Sequence, residues 1–379
     1  MPWDVDVRTL DSTEYVAWDR FVAAAPGGSI YSLPAYLDAL CVAAGGRFRI
    51  LAASRGPDIV GGVGLYERSS SGGEYVSPRL LLYYNGVVIR QYKTQYPSES
   101  TARHVKILTA IEECLGMIRF GSVNLRSRSL HDARPFLIKG WSVTPSYSYV
   151  VSLDLKSAWT RVEQNIRRLV DRARNEQFTF SDDDDFDAFY DLHTTTLGRR
   201  DVGAYLPRRE FAAFYATLRR QSLARLYHVR ASDGRRAASQ LVLLGPHGVS
   251  HTVSAGADPE MNKLGATALL RWSAFESLAA LGYSGNDLTD AALGSTTHFK
   301  SQFGGSLELT LVLQSPRSPR YRLSDGAVTV AWRARASVSE MARRLLRGRE
   351  RRGAPREDGQ ARVNTPANGT PVSSTKNVR

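Results

Sequence analysis

The sequence predicts an α/β fold with mixed sheets, built twice over and followed by a basic tail. Three observations lead there. The order of apolar patterns in residues 1–148 recurs in residues 149–314. Each half combines hairpin-type strands with one long amphipathic helix. Charge collects at the end: residues 315–379 hold 15 Lys/Arg against 5 Asp/Glu, so the first 314 residues carry only +3 of the chain's +13. At 379 residues and 42% hydrophobic content, the chain can bury two ordinary cores.

In the first half, "EYVAWDRFVAAAPGGSIYSLPAYLDAL" gives a short helix, a Pro-Gly-Gly turn and a second helix begun by Pro34. "FRILAASRGPDIVGGVGLYER" joins two apolar strands through a Gly-Pro-Asp turn. In "ESTARHVKILTAIEECLGMI", Val105, Leu108, Ile111, Leu115 and Ile118 keep a helical spacing. The strand "SVNLRS" and the segment "RPFLIKGW" close the half.

The second half opens on a basic helix in "DLKSAWTRVEQNIRRLVDRARNEQFTF". "DFDAFYDLHTTTLGRR" and "AYLPRREFAAFYATL" repeat the helix pair, with Leu206-Pro207 standing where Leu33-Pro34 stood. The hairpin is "ARLYHVRASDGRRAASQLVLLG". A single helix over "NKLGATALLRWSAFESLAAL" follows from Leu264, Ala268, Trp272, Phe275 and Ala279. "GNDLTD" reads as a strand, and "HFKSQFGG" as the start of another, with Phe299 lying 163 positions after Phe136. Beyond residue 314, "ASVSEMARRLLRGRERRG" predicts a basic amphipathic helix, and "NTPANGTPVSSTKNVR" is disordered by composition.

Several classes are excluded. HExxH, GxSxG and CxxC are absent, so neither zinc nor serine hydrolysis has sequence support and no metal site is expected. Cys41 and Cys114 read as reduced structural residues. "SDDDDFDAF" reads as a helix N-terminal cap rather than a metal cluster. No apolar run reaches the roughly 18–20 residues of a membrane span, and the acidic start lacks a secretory h-region. The expectation is a cytoplasmic protein, peripheral at the inner membrane face if the tail arginines lie on anionic lipid. The tail's alternatives are tRNA phosphates or no partner.

This order of elements resembles the GNAT acyltransferase fold written twice, as in the Fem-type aminoacyl transferases and their acetyltransferase-like relatives. Four segments over about residues 10–312 carry the resemblance: "GSIYSLPAYLDAL", "DARPFLIKGWSVTPSYSYVVSLDL", "WTRVEQNIRRLVDRARNEQFTF" and "NDLTDAALGSTTHFKSQFGG". The last is similar to the family's FK-x-x-FG signature. The resemblance implies two GNAT-like halves, 1–148 and 149–314. It also implies a transferase passing an acyl group from acyl-CoA or aminoacyl-tRNA to an amine or hydroxyl. The acceptor would be a cell-envelope precursor, lipid-linked or a sugar peptide. The opening motif lacks the family's lysine, and Asp290-Ala291 stands where paired glycines are usual, which weakens the tRNA link. The alternatives are a CoA-dependent N- or O-acetyltransferase and a non-catalytic scaffold.

Each candidate residue has two readings. Lys300 would stabilise the oxyanion of acyl transfer or hold a donor phosphate, with Phe299 beside it binding substrate; otherwise it is an ordinary lysine at a strand start, and Phe299 and Phe303 pack the core. Gly265 and Ala266, with Lys263, lie where GNAT folds hold the donor pyrophosphate on a helix N-terminus; otherwise Gly265 packs the helix on the hairpin. Arg199 and Arg200 offer forked donors to an anionic acceptor, or complement a helix C-terminus. Arg167 and Arg168 would guide an anionic substrate, or form a solvated face. Asp287, at a strand end, is the candidate base or acceptor ligand.

Overall fold

The computed structural model describes residues 3–324, except 79–80, 200–202 and 247. The amphipathic-helix and disorder readings of the tail fall outside the described residues. Among these, the strands form one mixed thirteen-stranded sheet. The N-terminal part supplies β1 (Asp6–Thr9), β2 (Arg47–Arg55), β3 (Asp58–Ser70), β4 (Gly73–Val76), β5 (Val88–Ile89), β6 (Ser122–Arg128) and β7 (Ser142–Ser152). The C-terminal part supplies β8 (Thr179–Ser181), β9 (Ala224–Arg230), β10 (Arg236–Leu243), β11 (Val249–Ala257), β12 (Gly285–Asp287) and β13 (Ser306–Gln314). Their spatial order is β1-β2-β3-β4-β6-β13-β7-β12-β11-β10-β9-β8, with β5 on β3.

The last strands of the two parts are exchanged. β7 pairs with β12, placing Val150 opposite Asp287. β13 inserts between β7 and β6, placing Gln314 opposite Asn124. The central ladder, β7 with β13, runs from Val150–Ser306 to Ser142–Gln314.

Side-chain alternation shows that both faces of the sheet are covered. Ile50 and Ala52 join the core under α1 (Tyr15–Ala24), α2 (Pro34–Ala44), α7 (Phe186–Gly198) and α8 (Arg208–Arg220). Their neighbours Leu51 and Ala53 join the core under α3 (Pro97–Met117). Leu241 and Val242 divide in the same way, the latter facing α6 (Gln164–Asn175) and α10 (Ala266–Ala280). Tyr36 of α2 meets Phe214 of α8 with ring centroids 5.7 Å apart, so the two parts share the first of these cores.

The remaining helices are α4 (Arg134–Ile138), α5 (Leu155–Arg161), α9 (Pro259–Lys263) and α11 (Ser295–Ser301). Asp185 caps α7, its Oδ1 accepting from the Ala188 amide at 2.9 Å. Asp182 and Asp184 in the same acidic run pair with Arg225 and Arg219. No group of His, Cys, Asp and Glu among the described residues is placed to hold a metal.

Two local expectations are corrected. Lys300 does not start a strand: it lies in α11, and the strand begins at Ser306. The single helix expected from residue 262 is broken into α9 and α10 at Gly265, whose φ is 94°. A Cβ there would stand 2.1 Å from the Leu169 carbonyl oxygen of α6. The close neighbour of Gly265 is therefore α6, not the hairpin, and only glycine satisfies both the φ and the approach.

Candidate functional site

β11 and β12 are parallel but pair only where Val249–His251 face Gly285–Asp287. Past His251, β11 runs on to Ala257 while the other chain turns away, opening a cleft of about 810 Å3. The exposed edge of β11 is met by side chains instead of a strand. Thr289 Oγ1 donates to the Thr252 carbonyl at 2.9 Å, and the Tyr83 hydroxyl to Val253 at 3.2 Å. Arg199 Nη2 donates to the Ala257 carbonyl at 3.0 Å, and the Ala257 amide to Thr196 Oγ1 at 3.2 Å. These bonds satisfy backbone groups that splaying would otherwise orphan.

Lys300 and Phe299 of α11 line this cleft with Arg199. The Lys300 ammonium donates to the carbonyls of Thr289 and, at 2.8 Å, Asp290. Both of those residues have positive φ, 44° and 49°. For a β-branched threonine this is a strained conformation, costing on the order of 1–3 kcal/mol, of the kind found at functional sites. Phe299 packs edge-on to buried Phe303 at 5.1 Å, which anchors α11.

Other expected residues stand elsewhere. Arg200 lies outside the described residues. Lys263 is exposed and ion-paired with Glu260 at 2.8 Å, and neither it, Gly265 nor Ala266 lines the cleft. Arg167 and Arg168 lie on α6, away from the lining. Asp287 is wholly buried and outside the lining. It accepts from the Tyr84 hydroxyl and the Thr289 amide, each at 2.8 Å. His251 Nδ1 lies 3.4 Å away and Arg128 Nε 3.9 Å. Burial alone would raise this carboxyl; His251, Arg128 and the Tyr84 hydroxyl outweigh it and hold it down at about 2.

Two lining residues escaped the sequence reading. Arg271 is one turn beyond Thr267 on α10, and both face the cleft. Burial pulls its guanidinium down to about 10, leaving it charged at neutral pH. The signal was an arginine interrupting the apolar run "ATALLRWSAF". His193 of α7 is buried, 2.7 Å from Ser254 Oγ through Nδ1. Its ring stacks on Phe189. The described cleft thus holds three cations, Arg199, Arg271 and Lys300, against one carboxylate, Asp290, itself 3.9 Å from Arg126.

Burial holds the His193 imidazole down at about 4. An unfolded histidine titrates near 6.5, so between these values the unfolded chain binds more protons. The His193 contribution is complete above about pH 6.5 and is lost as pH falls towards 4, by up to about 3 kcal/mol. His193→Phe, which keeps the aromatic stack, is expected to flatten the fall in urea stability between pH 7 and 4. An unchanged slope would show that the imidazole does not titrate there.

A second cleft, of about 620 Å3, lies among the N-terminal elements. It lies between the chain leaving β6, α4, α3 and residues 87–91. Its Arg134 is paired internally with Asp132 at 2.6 Å.

Residues 157–301 match a family model described as an acetyltransferase (GNAT) domain, a span that includes α6, α7, β11, α10 and α11. No curated protein matches the chain. Among solved structures, FemX resembles it with a TM-score of 0.63 at 12% identity, covering 81% of this chain and 96% of FemX. A conserved protein of unknown function from Bacteroides thetaiotaomicron gives 0.54 at 11%, covering 82% and 99%. L-PGS from Bacillus licheniformis gives 0.52 at 13%, covering 84% and 98%. At these identities the likeness is one of fold: the chain is a mixed α/β protein whose open sheet has GNAT-like topology.

Proposed function

We propose that this protein is an acyl- or aminoacyltransferase acting on a cell-envelope or lipid acceptor, with its transfer site in the cleft between β11 and β12. The observation that carries this reading is Lys300, held at the cleft by the carbonyls of a strained turn. In the proposed reaction an acceptor amine or hydroxyl attacks the donor carbonyl, forming a C–N or C–O bond and an oxyanion. The Lys300 ammonium stabilises that charge. The carbonyl then re-forms, and the donor thiolate or ribose oxygen leaves with the proton lost by the acceptor. Fixed donors at such a point are typically worth about 3–4 kcal/mol.

In this reading Arg199 holds the acceptor's anionic group, with Arg200 beside it in sequence. Phe299 sets the position of Lys300. Asp287 fixes the turn through the Thr289 amide and does not reach the reactants. The backbone around Gly265 and Ala266, between the lining residues Asn262 and Thr267, receives donor phosphate at the start of α10. The Gly265 amide itself is held by the Asn262 carbonyl at 3.1 Å, and Lys263, Arg167 and Arg168 add positive potential outside the cleft. The chain divides into GNAT-like halves at 1–148 and 149–314. FemX and the C-terminal domain of a putative lysylphosphatidylglycerol synthetase from Agrobacterium fabrum (TM-score 0.51, 12% identity) favour an envelope or lipid acceptor. The acetyltransferase family match favours a second reading, CoA-dependent N- or O-acetylation.

The test is label transfer from acetyl-CoA and, separately, from a mixture of charged tRNAs, onto phosphatidylglycerol vesicles and a nucleotide-linked sugar peptide. Transfer from tRNA supports the first reading, and transfer from acetyl-CoA alone the second. Absence of transfer from both donors, with neither shifting the melting temperature, would overturn the enzyme reading in favour of a scaffold.

A further inference from the structure

Arg271 presents a physical problem. It lies in the second turn of α10, between Leu270 and Trp272, with 7% of its surface exposed. Its Nη1 is enclosed without a hydrogen-bond partner among the described residues. An ionised side chain taken out of water without a counter-charge is among the costliest features a fold can carry. A structural buried arginine has a carboxylate or carbonyl within reach, as Arg128 has in Asp287 at 3.9 Å and Glu308 at 3.5 Å. Arg271 instead faces the wedge between β11 and β12.

We propose that Arg271 is a substrate-binding residue whose guanidinium takes a phosphate group carried into the cleft. Its surroundings suit that anion. Thr267 presents its hydroxyl on the same face one turn earlier. The fifteen-residue helix begins at Ala266, behind Gly265, with no side chain capping its amides, so the dipole at that end favours negative charge. A forked guanidinium, a hydroxyl and helix amides together match an anion with several oxygens better than a two-oxygen carboxylate. Arg199 at the end of α7 and Lys300 of α11 add charge to the same lining, and Asp290 is 3.9 Å from Arg126. The proposal deepens the reading of this cleft as a transfer site and rests on it.

The experiment compares wild type, Arg271→Met and Arg271→Lys for binding of inorganic pyrophosphate by calorimetry, and for urea stability without ligand. Wild type is expected to bind saturably, and Arg271→Met to lose at least tenfold in affinity. Arg271→Met is also expected to be as stable as wild type or more so, because methionine fills the space without an unpaired charge. Arg271→Lys keeps the charge but not the fork and should bind with intermediate affinity at an unchanged midpoint. Competition with CoA and with uncharged tRNA then identifies which carries the phosphate. Wild-type-like pyrophosphate binding by Arg271→Met would overturn the proposal. So would lost stability in Arg271→Met together with unimpaired binding by Arg271→Lys, since the arginine would then be structural. If label transfer is observed but pyrophosphate binding ignores Arg271, only the present inference fails. If binding depends on Arg271 but no donor supports transfer, the anion site stands and the transferase reading falls.

Discussion

Asp287→Ala is expected to lower the stability of the folded protein by about 3–5 kcal/mol at neutral pH. The side chain is fully buried and joins four elements: its own strand β12, Tyr84 from the N-terminal part, Arg128 at the end of β6, and the turn at Thr289. Truncation removes one charge but leaves the others in place. Arg128, already largely buried, loses its buried counter-charge and keeps the partly exposed Glu308 at 3.5 Å and the Tyr84 ring at 5.3 Å. The Tyr84 hydroxyl and the Thr289 amide lose their acceptor, at a cost of about 1–3 kcal/mol for each group left unsatisfied. Asp287→Asn keeps the shape and an acceptor oxygen, and should recover part of the loss. The contribution also has a pH signature. A carboxyl held at about 2 stabilises the fold fully above about pH 4 and loses that contribution as pH falls through 2. Urea unfolding of both variants measures this; a change below about 1 kcal/mol in Asp287→Ala would mean that the network is not cooperative.

Lys300→Ala is expected to reduce transfer by about 10²–10³-fold in kcat, with a smaller change in KM, because the lost interaction belongs to the transition state. The substitution is not silent in the fold. The ammonium ties two carbonyls of a strained turn, so a stability loss of about 1–2 kcal/mol accompanies it. Lys300→Arg separates the two effects: it retains charge and donors for the turn but moves the charge relative to the donor carbonyl. Retained activity in Lys300→Ala under single-turnover conditions would remove Lys300 from the chemistry. Restored stability without restored activity in Lys300→Arg would confirm that position matters beyond charge.

Much of the architecture was legible because local patterns coincide with local structure. Pro34 starts α2 where its missing amide is harmless, and Asp185 caps α7. The spacing of Leu108, Ile111 and Leu115 marks the buried face of α3. Phe299 and Phe303 are four apart, a helical interval, but the Gly304-Gly305 pair drew the reading towards a strand. The site was legible in part for a different reason. Lys300, Phe299 and Arg199 sit at the ends of elements, where side chains reach a cleft. Arg271 and His193 lie inside apolar helical runs, and their function depends on which strands part above them. No periodicity encodes that. Nor could Asp287 be placed, since Tyr84 and Arg128, which hold it, come from segments with no pattern linking them to it.

The exchanged strands have a consequence for how the chain is made. β6 meets β13, at Asn124 and Gln314, so the edge of the N-terminal sheet stays unpaired until nearly the whole described chain has left the ribosome. β7 meanwhile waits for β12 and β13. Closing contacts of such long sequence separation is slow, and open strand edges invite pairing with other molecules. Nascent chains stalled between residues 153 and 305 would therefore be the aggregation-prone species. Production of this protein should respond more to translation rate and chaperone supply than to the stability of its finished fold.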